Sequence, residues 1–573
     1  MSEEHGGFAT WIPDSVPQST REWLSSLKVS RKELAHEAIA GVPGAIGSVP
    51  DSMASGVLVG VNPVFGLYAA LCGRIFGGLL QSSPLMVVTT TSAASLAAAS
   101  TIAEVPANQR EQALLLVVLL SGVFMTLAGL FRLGRYTRFV SQSVMVGFLS
   151  GIAINVVCSQ LSDLTGIPVS GGLPIQRALK VLTSPANLSV VTLVLGIAAG
   201  ACTLLFARGR FAQFGALIAI AVPSIINSLL SHGAQTVGEK YPIPGGLPTP
   251  QLPTVSALSI NVVFGAIAIA MIVLVQGVGV SESVYMPGRP RPDPNRDFLA
   301  QGIGNVAASF MHGVPVGGSV SQSALNKSSG ARTRWGSIFS GIWLVLVVVA
   351  LTGLIEKIAL TCLAGLLIMA AVSSLKPREV RSIIAVSRSS AFSCVVTFVG
   401  TLVLPIAQAV GIGVIVSLLL QLNLEAVDLK IVELKVKDGH LVESPAPREL
   451  TSNEVVILDV YGSLFYAGSR TLQSKLPNPE SASHAVVVLR MRGRPFPPAT
   501  FFFILNSYGA ALDRNDGKLI LSGVDPRMAD RIHEMNNSAN FREYQIVEAT
   551  DQIGESTIQA FELGQHWIVS RNP

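Results

Sequence analysis

Residues 45–58 read AIGSVPDSMASGVL, with Pro50 and Asp51 side by side inside a long apolar stretch. A proline within a helix removes one backbone hydrogen bond and crowds the carbonyl four residues back. A carboxylate at bilayer depth costs about 2.5–3.5 kcal/mol on insertion scales unless it is paired or hydrated. The dipeptide therefore predicts a broken helix with an ionisable group at the break. Three roles fit Asp51: it accepts a proton, it binds a cation such as Na⁺ together with Thr and Ser oxygens, or it caps the half-helix that follows Pro50.

Two further stretches carry related chemistry. SSPLMVVTTTSAASLAAAS (82–100) and GVPVGGSVSQSALNKSSG (313–330) each open near a proline, are too polar for lipid contact and are too short to cross as complete helices. Irregular backbone at membrane depth is tolerated only where it is buried in protein or lines a cavity. Each is therefore read as a half-helix whose N-terminus, with roughly half a positive elementary charge and free N–H groups, faces the membrane midplane. Two such ends meeting make an anion site. The competing reading is that Gly/Ser/Thr-rich helices simply pack closely, as small-residue surfaces do.

The elements that must position these residues follow from composition. The 573 residues are 50% hydrophobic and 13% charged, with 53 glycines and a mean hydropathy of +0.54, which describes a polytopic membrane protein. Windows of about 20 apolar residues, the length that spans a bilayer, fall near 111–131, 188–207, 211–230, 258–281, 336–355 and 396–421. Shorter or Gly/Pro/Ser-rich windows fall at 40–61, 64–80, 84–102, 139–161, 297–313, 314–330, 358–375 and 387–404, for twelve to fourteen spans.

Charge sets the orientation. With the N-terminus inside and fourteen spans, Arg132, Arg135, Arg138, Arg208, Arg210, Arg289, Arg291, Arg296, Lys327, Arg332, Arg334, Lys376, Arg378, Arg381 and Arg388 are cytoplasmic. Only Arg110, Arg177, Lys180, Lys240 and Lys357 remain outside, as the positive-inside rule requires. The net charge of +5 thus reports membrane orientation and not nucleic-acid binding. No signal peptide is read in the polar N-terminal segment, residues 1–36, and both termini are expected in the cytoplasm of a plasma-membrane protein. Cys72, Cys158, Cys202, Cys362 and Cys394 show no disulfide or metal-ligand spacing, so no metal or other cofactor is expected. Beyond Asn423 the runs KIVELKVKDG, EVVILDVYGSLFYAG, HAVVVLRM and KLILSGV predict strands of a soluble α/β domain. The expected division is 1–36, 37–424 and 425–573.

Longer blocks carry a resemblance. SVPDSMASGVLVGVNPVFGLYAALCG (48–73) is similar to the IPQxMAYAxLAGxxPxxGLYA signature of the sulfate permease (SulP) family of anion transporters. GFLSGIAINVVCSQLSDLTG (147–166) resembles its GFxxGxAIxIxxSQL run, and residues 293–338 resemble its DxNRELxAxGxxNxxxxxFxGxPxTGSxSRSAxNxxxGAxTxxAGI block. DVYGSLFYAGSRTL (459–472) resembles a strand–helix unit of that family's C-terminal STAS domain. The resemblance implies an α-helical membrane protein of fourteen segments in two inverted repeats of seven, with UraA-like core and gate domains, a cytoplasmic STAS domain and a homodimer. It implies an anion site lined by Pro50, Asp51 and Ser52 on segment one, Thr89, Thr90 and Thr91 on segment three, Gln276 on segment eight, and Gly317, Gly318, Ser319, Val320, Ser321 and Gln322 on segment ten.

The chain departs from the family pattern at telling positions. Gln276 stands where many members carry a carboxylate, Gln322 replaces the common Arg of GSxSRS, and Asp51 replaces a Gln. These changes predict a site of neutral donors and backbone dipoles in which Asp51 takes the ionisable role, and they favour a monovalent anion. Arg74 is expected to pair or snorkel rather than bind substrate. In the soluble domain LRMRGRPFPPATFFFIL (489–505) replaces the phosphorylatable DxSG-like segment, leaving Thr500 as a weak regulatory candidate and FFF as expected core.

The leading expectation is a secondary transporter of small anions (sulfate, bicarbonate, chloride or dicarboxylate) driven by H⁺ or Na⁺ or working by exchange, since no G-x-x-x-x-G-K-[ST] loop is present. A transport-inactive receptor or scaffold signalling through the STAS domain, and an anion channel, are the alternatives. Enzyme chemistry is not expected, because no paired carboxylates, Ser/His/Asp set or metal-ligand spacing falls at membrane depth.

Overall fold

The structure, a computed structural model, describes residues 27–571 apart from 104, 140, 170–171, 185, 187, 207–213, 231–232, 242, 244–245, 255–256, 288–290, 428, 438–439, 463, 465, 495–497 and 538–542. Most of the N-terminal segment, Arg208, Arg210 and Arg289 therefore lie outside the described residues. The chain divides into two compact units, Met1–Ser417 and Leu418–Pro573.

The first unit is helical. Helix α1 (Arg31–Val59) starts in a capping box, Ser30 accepting from the Glu33 N–H while the Glu33 carboxylate accepts from the Ser30 N–H. It ends at Gly60, whose φ of 84° is the left-handed conformation that favours glycine at this position. Between these ends α1 runs through Pro43 and Pro50 without interruption, so the expected break at Pro50–Asp51 is corrected. The reason is tertiary. The middle of α1 is buried on successive turns, and at Gly41 an added Cβ would meet the Ser340 backbone N at 2.8 Å. Packing this close compensates for the hydrogen bond that Pro50 cannot donate. Asp51 is consequently an interior helix residue, and the capping role proposed for it belongs to Ser30.

Helix α2 (Pro63–Cys72) opens with Asn62 accepting from the Val64 N–H and Pro63 at its first position. It continues through a π-helical turn, Gly73–Gly77, into Gly78–Leu80. Contact between α1 and α2 depends on Gly66, where a Cβ would fall 1.7 Å from the Ser52 carbonyl oxygen. Gly66→Ala must push the two helices apart and is expected to cost at least about 1–3 kcal/mol, while Gly279→Ala, with open space around it, leaves stability within about 0.5 kcal/mol. Melting temperatures of the purified variants check the contrast.

Next come β1 (Val88–Thr90), α3 (Ser92–Ala103), α4 (Arg110–Leu130), α5 (Gln142–Thr165), α6 (Pro174–Thr183), α7 (Val190–Phe206) and α8 (Gly215–Ser228). The order then repeats with α9 (Ile260–Ser283), α10 (Pro294–Phe310), β2 (Val316–Gly318), α11 (Val320–Ser328), α12 (Trp335–Ala350), α13 (Leu360–Ser374), α14 (Pro377–Val386), α15 (Arg388–Val403) and α16 (Ile406–Val427). Among the described residues, the helical stretches Pro63–Leu80, Arg110–Leu130, Gln142–Thr165, Ile260–Ser283 and Leu360–Val386 are long and apolar enough to cross a membrane by themselves. Glycines fix the crossings: Gly122 of α4 lies against Val306 of α10, and Gly147 of α5 against the Cys394 carbonyl of α15.

The second unit holds a six-stranded sheet. Its strands are β3 (Lys430–Lys437), β4 (His440–Pro445), β5 (Val455–Tyr461), β6 (Val486–Arg490), β7 (Lys518–Val524) and β8 (Gln545–Glu548), in the spatial order β4-β3-β5-β6-β7-β8. β3 pairs antiparallel with β4 and β5, and β5 through β8 run parallel. All four β-rich runs of the sequence form strands. The polar β4 and the short β8, which carry weaker alternation, were not anticipated.

Candidate functional site

The two polar stretches meet, but not as helix ends alone. β1 and β2 pair antiparallel with Val88 opposite Gly318, Thr89 opposite Gly317 and Thr90 opposite Val316. The helices begin only afterwards, α3 at Ser92 and α11 at Val320. The expectation that a half-helix starts at each proline is corrected accordingly. Each strand uses the preceding extended chain to bring its helix N-terminus to the crossing, and the β-branched run Val87-Val88-Thr89-Thr90-Thr91 favours that conformation. Both helices are capped by hydroxyls at their first turn: Thr91 Oγ1 accepts from the Ala94 N–H and Ser319 Oγ from the Gln322 N–H.

The crossing is tied from both sides. The Ser319 N–H donates to the Val87 carbonyl and the Val87 N–H to Ser323 Oγ. From α10, Asn305 accepts from the Val316 N–H and donates to the Val316 carbonyl, while Gln301 Oε1 accepts from the Gly318 N–H. Gly317 and Gly318 are required because α9 comes close. An added Cβ would meet Val273 at 2.8 Å from Gly317 and the Gly277 Cα at 3.3 Å from Gly318.

Asp51 reaches this crossing from α1 through Gln322, whose Nε2 donates to Asp51 Oδ2 at 3.4 Å. On its other side Gln322 Oε1 accepts from Arg74 at 2.8 Å, and Arg74 also donates to Ser340 Oγ at 2.6 Å. Arg74 is fully buried in the π-helical turn. A carboxylate that only accepts and a guanidinium that only donates fix the amide's orientation, so Gln322 links the two charges. The expectation of a site without fixed positive charge is corrected: the cation missing at 322 stands one side chain away, at Arg74. A lone Arg inside an otherwise apolar span was the signal for it.

Several of the anticipated residues share one property. Ser52 Oγ, Thr89 Oγ1, Thr90 Oγ1 and Gln276 Oε1 are buried with no hydrogen-bond partner among the described residues, and Ser95 Oγ on α3 joins them. Buried polar atoms are almost always paired, so each unpaired one calls for an explanation. Thr91, Ser319 and Gln322 are buried, Pro50 is buried within α1, and Asp51 is half-buried. Val320 and Ser321 are exposed at the start of α11. Gln276 stands apart: it neighbours Gly277 in sequence, but its side chain lines a small cavity with Met145, Phe148 and Val414.

A second carboxylate holds the loop between α2 and β1. Asp297, buried at the start of α10, accepts from the Ser82 N–H and hydroxyl at 2.7 and 2.9 Å and from the Ser83 N–H and hydroxyl at 3.3 and 3.0 Å. Sequence reasoning missed it, as it missed Gln301 and Asn305, because each acts on a segment some 200 residues away or on backbone groups. Asp297→Ala strands these donors, each at about 1–3 kcal/mol. The expected result is a steep fall in melting temperature with little folded protein recovered.

In the second unit Arg490 pairs with Asp459 at 2.6 Å, each mostly buried, so the charge that replaces the strand-end acid is used in the sheet. Thr500 is half-buried in the first turn of the helix Ala499–Asp513. Phe501 and Phe502 are core, as expected, and Phe503 is exposed.

Comparison with known proteins identifies the class to which this helical unit, with its paired strand–helix crossings and polar centre, belongs. Residues 34–397 match the sulfate permease family, and the chain belongs to that family. Its members are transporters and not enzymes. A probable sulfate transporter of Mycobacterium tuberculosis is 29% identical over 438 residues, covering 75% of this chain and 74% of that protein. The bicarbonate transporter BicA of Synechocystis is 26% identical over 407 residues, covering 69% of this chain and 71% of that protein. The fold is similar to that of the murine Solute Carrier 26 family member A9 anion transporter in its inward-facing state, with a TM-score of 0.82 at 16% identity, covering 98% of this chain and 96% of that one.

Proposed function

We propose that this chain is a secondary active transporter of small anions of the sulfate, bicarbonate, chloride and dicarboxylate class, working by elevator-like alternating access. The anion binds at the β1–β2 crossing, between the N-termini of α3 and α11, lined by Pro50, Asp51, Ser52, Thr89 to Thr91 and Gly317 to Gln322, with Gln276 on α9 at its margin. The observation that carries this reading is the group of buried unpaired hydroxyls, on Ser52, Thr89, Thr90 and Ser95, around two capped helix starts. Hydroxyl and backbone N–H donors suit an anion held without a rigid ion pair.

Asp51 serves as the coupling group, taking H⁺ or Na⁺. In this reading each long helix and each strand–helix unit is one passage, for fourteen segments in two inverted repeats of seven, grouped into core and gate domains. Residues 1–36 are then a cytoplasmic N-terminal segment, 37–424 the transport domain and 425–573 a cytoplasmic STAS domain, in a homodimer of the plasma membrane. The similarity to transporters named for sulfate and for bicarbonate supports the substrate class. The test is uptake of sulfate, bicarbonate, chloride and fumarate by proteoliposomes of the purified protein, with and without an inward proton or sodium gradient. Flux of one anion that rises with a gradient supports the proposal. Flux at channel rates that ignores every gradient, or no flux at all, overturns it in favour of the channel or the receptor.

A further inference from the structure

A cavity of about 800 Å³ lies away from the strand crossing. Its wall is built from the C-terminal ends of α1, α3 and α5, the N-terminal ends of α7 and α13, and the loop between α8 and α9. On the orientation that the basic loops predict, each of these ends lies on the outer face. The cavity also gathers Arg110, Arg177 and Lys240, three of the five basic residues that the positive-inside rule leaves outside. Against them, among the described residues, the wall carries one acid, Asp163, 3.7 Å from Lys240 and within electrostatic reach of Arg177. Arg110 is held in place by the carbonyls of Ala103, at the end of α3, and of Val105 just beyond it, and Arg177 Nε is buried without a hydrogen-bond partner among the described residues.

A cleft lined by one sign of charge between low-dielectric walls concentrates its counter-ion and raises on-rates by about 10–10³-fold. We propose that this cavity is an outer anion-binding vestibule, in which Arg177 and Lys240, with Arg110, hold a small inorganic anion before it passes to the strand crossing. Asp163 competes with the anion for Lys240, which keeps the anion's residence short and lets the vestibule feed the inner site rather than trap its cargo. The direction of traffic rests on the transport reading above, whereas binding at the vestibule does not.

The experiment therefore has two arms. The purified full chain is titrated calorimetrically with sulfate and with chloride, as wild type, as Arg177→Gln/Lys240→Gln, and as Lys240→Gln alone, which alters an exposed side chain and serves if the double variant misfolds. In proteoliposomes of defined orientation, KM is measured for anion supplied from each face. The expected result is weaker binding in both variants and an outer KM raised about tenfold in the double variant, with kcat and the inner KM unchanged. Weaker binding without flux in any sample would support the vestibule while defeating the transport reading. Unchanged binding and unchanged outer KM in folded variants would overturn the proposal, as would a KM that rises equally from both faces, because the charges would then act on the inner site.

Discussion

Asp51→Asn retains anion exchange and loses the uptake that a proton or sodium gradient drives. The substitution keeps the side chain's size, and its carbonyl oxygen still accepts from Gln322 Nε2, so the contact between α1 and α11 survives. What disappears is the group that binds a proton or a cation. Coupling free energies of about 1–3 kcal/mol correspond to about 5–150-fold, and gradient-driven uptake is expected to fall within that range while counterflow stays near wild type. Because Asp51 lies inside an uninterrupted helix, a loss of coupling is not the loss of a helix cap. Gradient-driven uptake that persists unchanged in Asp51→Asn would sink the coupling role.

Arg74→Gln should be the most damaging single change near the site. It removes a fully buried guanidinium and its bonds to Gln322 and Ser340, and leaves Asp51 without the cation linked to it through Gln322. Breaking a buried charge arrangement from one side costs about 3–5 kcal/mol, which should lower the melting temperature sharply and weaken anion binding. The double variant Arg74→Gln/Gln322→Arg returns the cation to the position where the family pattern carries it. It is expected to recover a substantial part of both losses, and the non-additivity measures the exchange directly. A double variant no better than the sum of its parts would show that position 322 cannot host the charge in this chain.

Periodicity and composition carried most of the architecture: most of the apolar windows became helices, and the composition change near Asn423 precedes the first strand of the six-stranded sheet at Lys430. Which residues meet at the crossing was legible where a rare residue type stands in an apolar run, as with Asp51 and the Thr89–Thr91 cluster. What was misread depends on long-range packing. Pro50 announces a break that burial of α1 overrides, and VVTTT carries a strand signal hidden within a stretch taken as helix. Asn305, Gln301 and Asp297 look like ordinary polar residues on a helix until their partners on other segments are known. Arg74 was visible in the sequence, but its meaning appears only beside Gln322.

The most direct test of the central claim is to locate the anion. Crystals of the full chain grown with selenate or bromide place an anomalous scatterer wherever the substrate class binds. A peak is expected within hydrogen-bonding distance of the Thr89–Thr91 and Ser319–Gln322 segments, beside Asp51. A bound anion found only elsewhere, with the strand crossing empty at saturating concentration, would contradict it.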